Sequence, residues 1–187
     1  MVKKLTKIAA GVTMAGALFV NAGMYSDNTK VEAKTSEVSK NVKTSTIKLS
    51  QADAISKFHK QYSGKDIKEI DLKVEKNKYI YEVEGFDKTH EYEVKINAKN
   101  GKIISHKSEK SNLDELNEKA LDVDKLISRS KATKIAEKEV AGTARSWKLT
   151  HDDNKTVWEV EVKKGNKKQE VKIDAKNKKV ISIEKDD

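Results

Sequence analysis

The chain has no cysteine, no proline and only eight glycines, and aromatic side chains make up 5% of its 187 residues. Lack of cysteine excludes disulfides, thiolate metal ligands, a cysteine nucleophile and a lipid anchor through cysteine. Lack of proline excludes cis-proline turns and polyproline tethers. The glycines never gather into a phosphate cradle, and no serine stands in a Gly-x-Ser-x-Gly elbow. Hydrophobic residues (36%) barely balance charged ones (37%), which rules out a membrane bundle while leaving enough Val, Ile and Tyr to fold.

What is present begins with a three-part leader. Lys3, Lys4 and Lys7 precede an apolar run from Ile8 to Val20, and small residues follow at Asn21 and Ala22. Thirteen apolar residues fall short of the roughly 20 that span a bilayer, so residues 1–22 read as a secretory signal cut between Ala22 and Gly23. A second possible cut lies between Ala33 and Lys34, and a retained N-terminal anchor is the alternative reading. Residues 23–46 are Lys, Ser, Thr, Asn and Glu with little apolar content, a disordered polar spacer by composition. The expected location is therefore secreted or cell-envelope, with no stable membrane span after cleavage. Removing the leader leaves 36 bases against 30 acids. That excess would draw the protein to anionic wall polymers or lipid surfaces at low salt.

The most informative feature is an internal repeat. Tyr81-Glu82-Val83 recurs as Trp158-Glu159-Val160, the segment Glu93 to Asn100 as Glu170 to Asn177, and Ile103-Ile104-Ser105 as Val180-Ile181-Ser182, all at an offset of 77. Upstream, Ser50, Ala52 and Ile55 match Ser130, Ala132 and Ile135 at an offset of 80. Two domains follow, over 47–108 and 127–187.

Each unit opens as a helix. Ser50 and Asp53 form a capping box before Ala52, Ile55, Phe58, His59 and Tyr62, while Ser130 caps Ala132, Ile135, Ala136 and Val140. Gly64 and Gly142 suit left-handed helix stops. The period then drops to two: Ile70, Leu72 and Val74; Tyr79, Tyr81 and Val83; Tyr92, Val94 and Ile96; Ile103 and Ile104. The second unit repeats it from Trp147 and Leu149 to Val180, Ile181 and Ile183. Such alternation predicts antiparallel strands buried on one face, with hairpins at Lys76-Asn77 and Asn100-Gly101. The fold class is α+β: two tandem small domains, each an N-terminal helix packed on a four-stranded antiparallel meander. Between them, 109–126 carries six acids and three lysines over Glu109 to Lys125. Leu113, Leu116, Ala120 and Val123 there are spaced as in a connecting helix.

Chemistry is sparse. His59, His90, His106 and His151 fall in different elements, and no pair has zinc-ligand spacing. His59 is expected near the buried helix face, and His90 and His151 at strand ends. Asp152 and Asp153 read as turn formers, not a calcium site. The pairs Glu82/Glu84 and Glu159/Glu161 read as wet strand faces offset by neighbouring lysines. Tyr79, Tyr81, Tyr92, Trp147 and Trp158 could stack on bases, but the same alternation assigns them to the core, so no nucleic-acid partner is expected. No catalytic, metal or cofactor residue is assigned, and no partner-binding surface can be chosen.

The repeated unit resembles the PepSY domain, whose pattern runs YEVEV…YEVxVDAxTGxVLxV. Tyr81 to Glu84 and Tyr92 to Ser105 carry it in the first unit, Trp158 to Glu161 and Val171 to Ser182 in the second. Asn97 replaces the usual Asp in the first unit. In the second, Lys178 replaces the turn glycine, which would shift the strained backbone position to Asn177. PepSY units occur in propeptides of secreted metallopeptidases, beside spore cortex-lytic enzymes, and as exported tandems in Gram-positive bacteria. The resemblance implies no catalytic residues and a secreted or wall-associated peptidase as partner. The alternative is a cationic envelope protein held by anionic wall polymers.

Overall fold

The computed structural model describes residues 42–111 and 118–186; the leader, both cleavage positions (Ala22/Gly23 and Ala33/Lys34) and most of the spacer lie outside them. Each unit is a helix followed by four antiparallel strands. The first comprises α1 (Gln51–Gln61), β1 (Asp66–Glu75), β2 (Lys78–Phe86), β3 (His90–Asn97) and β4 (Ile103–Lys110). The second comprises α2 (Arg129–Glu139), β5 (Thr143–Asp152), β6 (Lys155–Lys164), β7 (Lys167–Asp174) and β8 (Val180–Asp186).

The two meanders do not close separately. β1 pairs with β5, giving one eight-stranded sheet in the order β4-β3-β2-β1-β5-β6-β7-β8. The junction is short: Ile70, Asp71 and Leu72 face Leu149, Lys148 and Trp147. Both helices contribute to one core, with Ala54 and Phe58 of α1 and Ala132 and Ala136 of α2 buried with the apolar strand positions. The aromatic residues expected in the core are there: Tyr79, Tyr81, Trp147 and Trp158 are buried, and Tyr92 is half-buried.

The helix starts correct the repeat arithmetic. Ser50 caps α1 with the full capping box to Asp53, but α2 is capped by Ser128, whose Oγ accepts from the Lys131 N–H. Ser130 lies inside the helix, so the units are offset by 78 here and the match at 80 is fortuitous. The buried α1 stripe accordingly runs through Ala54, not Ala52, and His59 is exposed. Gly64 does adopt φ +69°, whereas Gly142 is at +154°. The turn before β8 also differs from expectation: Lys178 itself takes φ +71°, matching Gly101 at +70°.

The connecting segment is not a helix where it is described. Residues 118–122 have no regular secondary structure and Val123–Lys125 forms a 3-10 turn; Ala120 is exposed, while Leu121 and Val123 belong to a strap packed on the core. Its counterpart precedes α1, where Thr44–Thr46 forms the same turn. Each strap hangs on its own unit in one way. Leu49 and Ile127 donate their N–H groups to the carbonyls of Ala98 and Ala175, both at 2.8 Å. Tyr81 Oη and Trp158 Nε1 donate back to the carbonyls of Leu49 (3.3 Å) and Ile127 (2.9 Å). Each strap also reaches the other unit. The Leu121 N–H donates to the Ile67 carbonyl at 2.8 Å, and Arg145 Nη1 donates to the Val42 carbonyl at 3.1 Å. Segment 118–127 thus opens the second unit and clasps it to the first.

Candidate functional site

With both helices on one face, the other face of the sheet carries charge. Cross-strand register turns the repeated glutamates into rows. In the first unit Glu69, Glu84 and Glu93 are directly opposed on β1, β2 and β3, and Lys107 on β4 ends the row. In the second unit Ser146, Glu161 and Glu170 are opposed on β5, β6 and β7, and Glu184 on β8 ends the row.

Lysines interleave with these acids. Lys73 lies 2.6 Å from Asp71 and 3.0 Å from Glu82, and Lys95 lies 3.2 Å from Glu82. Lys107 meets Glu93 at 3.3 Å, Lys148 meets Glu69 at 2.9 Å, and Lys172 bridges Asp152 and Glu159 at 3.0 and 3.3 Å. Asp152 is therefore an ion-pair partner, while Asp153 supplies the turn at φ +53°.

The glutamate pair read as a wet face is more buried than alternation suggests. Glu82 is only 9% exposed, because long side chains on neighbouring strands cover one another in the middle of a wide sheet. Burial, and then the charge of Glu69, push Glu84 up to about 7, against the pull of Lys68 at 3.8 Å. Burial and a hydrogen bond to Glu82 push Glu93 upward. Burial resists ionisation of Glu82 as well, but that hydrogen bond and the ammonium groups of Lys73 and Lys95 hold it below the ordinary glutamate range. The carboxylates of Glu82, Glu84 and Glu93 lie within 4.8 Å of one another, close enough to share a cation. Lys73 and Lys95 supply counter-charge to Glu82, and Lys107 to Glu93, so the arrangement is an ion-pair lattice. Beside it, Lys68, Glu69, Glu84, Glu118, Thr150 and His151 line an open depression of about 260 Å³ at the seam between units.

The histidines remain apart. His90 Nδ1 is 2.8 Å from Thr89 Oγ1, His106 faces Gln61 and Tyr62, and His151 lies 3.3 Å from the Ala120 carbonyl. No helix among the described residues is long and apolar enough to cross a membrane.

Among the described residues, exposed large apolar side chains lie at the sheet margins. Ile103 (41%) and Ile104 (54%) lie on β4, Ile181 and Ile183 (43% each) on β8. The helices explain this: α1 packs mainly on β2 and β3 and α2 on β5, β6 and β7, leaving most of the outermost strands uncovered. Sequence alternation had placed these isoleucines in the core, because period two marks a face and cannot show that its cover stops one strand short.

Two stretches, 48–107 and 126–184, match the family described as peptidase propeptide and YPEB domain, or PepSY. This chain belongs to the PepSY family. The match places one copy on each unit and agrees with the helix-plus-four-strand architecture of both. PepSY domains are generally non-catalytic. The chain is 30% identical, over the full length of both, to the uncharacterized protein YkoJ of Bacillus subtilis strain 168. Its fold is similar to the crystal structure of a candidate lipoprotein from Clostridium difficile 630. That comparison gives a TM-score of 0.70 at 31% identity, covering 75% of this chain and 95% of that one.

Proposed function

We propose that this PepSY tandem is an exported, non-catalytic binding module that restrains a secreted or wall-associated peptidase or related hydrolase. One observation carries the reading: both outer strands expose large apolar side chains beside a backbone edge that no other strand among the described residues pairs with. Such an edge takes up an extended segment of another chain by strand addition. The peptidase-propeptide description of the family supports a hydrolase as the owner of that segment. The leader sequence and the candidate-lipoprotein relative support an envelope location; this chain has no cysteine to lipidate. Pull-down from culture supernatant and wall fraction at about 150 mM salt is expected to recover a hydrolase whose activity falls when the chain is added. Recovery of wall polymer alone overturns the reading.

The second reading, a cationic protein held by anionic wall polymers, is favoured by where exposed positive charge lies. Lys76, Lys78, Lys102, Lys164, Lys176 and Lys178 are exposed in or beside turns, apart from the paired lysines of the sheet. Polymer binding of this kind should fade between about 50 and 200 mM salt, whereas a packed protein interface persists.

A further inference from the structure

The two outer strands are repeats of each other, but they are not equally open. On β4, Lys107 closes the glutamate row through its 3.3 Å contact with Glu93. The end of α1 also ties this strand down: Tyr62 Oη donates to the Lys107 carbonyl at 2.8 Å and approaches His106 Nδ1 at 3.3 Å. At the matching positions the second unit has Glu184 for Lys107, Ile183 for His106 and Val140 for Tyr62. Glu184 makes no ion pair among the described residues; its contact is Ser182 Oγ at 3.5 Å. Val140 has no hydroxyl with which to hold β8. The row Glu161, Glu170 and Glu184 therefore runs out to the margin as directly opposed acids, beside the exposed Ile181 and Ile183.

We infer that the β8 edge is the docking strand, and that it takes an extended peptide segment of a partner protein carrying lysine or arginine beside Glu184 and an apolar residue beside Ile183. The first unit shows what this register selects: the strand that follows Glu69, Glu84 and Glu93 supplies Lys107. Like charges directly opposed across strands destabilise and unlike charges stabilise, so a base beside Glu184 completes in the second unit what is intramolecular in the first. An acid there would set a like charge against Glu184. β4 already presents a lysine in that register and is fastened to α1, so it lacks this preference. The inference rests on the strand-addition reading above and narrows it to one edge and one charge.

The test uses the isotope-labelled full chain and two synthetic probes: an eight-residue peptide of alternating valine and threonine with one central lysine, and the same peptide with glutamate instead. The lysine peptide is expected to shift amide signals over Val180 to Lys185 and to bind about 5-fold more tightly than the glutamate peptide. Glu184→Lys, an exposed change that leaves the core untouched, is expected to invert that order. Equal binding of the two peptides, signals confined to β4, or no binding of either overturns the inference. The two readings also fail separately. Recovery of a hydrolase undiminished by Glu184→Lys sinks the β8 assignment and leaves the hydrolase reading standing. A localised lysine preference with no hydrolase recovered does the reverse.

Discussion

In the first unit Phe58 fills the space between helix and sheet, and Gly85 on β2 leaves room for it; in the second unit Ala136 and Val162 occupy the same two places. A Cβ on Gly85 would stand 2.3 Å from Phe58 Cζ and 2.4 Å from the Asp66 carbonyl oxygen. Val162 has moved bulk from helix to strand, and it presses on Gly142, where a Cβ would come within 2.8 Å of Val162 Cγ1. One fold thus holds two packings of similar volume, with large and small side chains exchanged across the same gap. Conserved volume, not conserved residues, keeps the helix at its distance from the sheet.

Breaking this exchange should have the largest effect. Phe58→Ala leaves a cavity and is expected to cost about 3–5 kcal/mol, and Gly85→Val overpacks the intact site at about 1–3 kcal/mol or more. If the units are alternative packings of one design, the double variant should be more stable than the sum of the two losses by at least about 1 kcal/mol. Denaturant unfolding of the four proteins measures this coupling. Simple additivity would show that the exchange is coincidental.

The acidic rows offer a second contrast. Glu84 sits between Glu69 and Glu93, whereas Glu161 has Ser146 on one side and Lys168 at 2.9 Å. Because its folded pKa of about 7 exceeds the reference 4.5, the native state binds the extra proton between those values. Through this group, stability falls as pH rises across that window. Glu84→Gln should therefore stabilise the protein near pH 8 by about 1–2 kcal/mol, allowing for screening of a partly exposed side chain. The gain should vanish near pH 4. Glu161→Gln should give no such gain. Chemical denaturation at both pH values decides it, and a pH-independent benefit at Glu84 would remove the electrostatic account.

Much of this was legible in residue order. Alternation from Ile70 to Ile104 and from Trp147 to Ile183 placed all eight strands and the buried faces of the six inner ones, and the 77-residue offset placed the second set against the first. The junction was not legible, because period two states which face a residue takes and not which strand lies beside it; only three residue pairs join β1 to β5. The helical spacing of Ala120 and Val123 does not make a helix of the strap: Ala120 is exposed, and it is Leu121 and Val123 that pack on a core that includes the other unit. Glu82 and Glu84 were assigned correctly to the face without helices, but lateral burial by neighbouring lysines depends on sheet width. The contrast between Lys107 and Glu184 stood in the sequence at one offset. It acquired meaning once register made each the end of a row.

A milder asymmetry lies in the turns before the outer strands. Gly101 and Lys178 share a left-handed backbone, which costs an L-residue roughly 1–2 kcal/mol relative to glycine, partly offset by the entropy glycine loses on folding. Lys178→Gly should stabilise by about 0.5–1 kcal/mol. Gly101→Ala should destabilise by more than that margin, since its Cβ would also stand 2.9 Å from Lys57 Cε. Thermal melts of both variants test the pair, and a neutral Lys178→Gly would mean that the lysine makes a compensating contact.

The smallest expected effect is at the helix starts. Ser50 and Asp53 satisfy each other's backbone N–H groups, with Asp53 N–H to Ser50 Oγ at 3.1 Å and Ser50 N–H to Asp53 Oδ2 at 3.3 Å. In α2 the residue three past the cap is Lys131, which donates its N–H to Ser128 Oγ at 3.3 Å but has no acceptor to return. Its positive charge also stands in the first turn, against the helix dipole. Lys131→Asp should install the missing half of the box and remove that repulsion, raising stability by about 0.5 kcal/mol. The box requires its serine, so the gain should shrink when Ser128→Ala is present. A gain of equal size in that background would assign the whole effect to charge at the helix end and leave the two caps unlike by more than one residue.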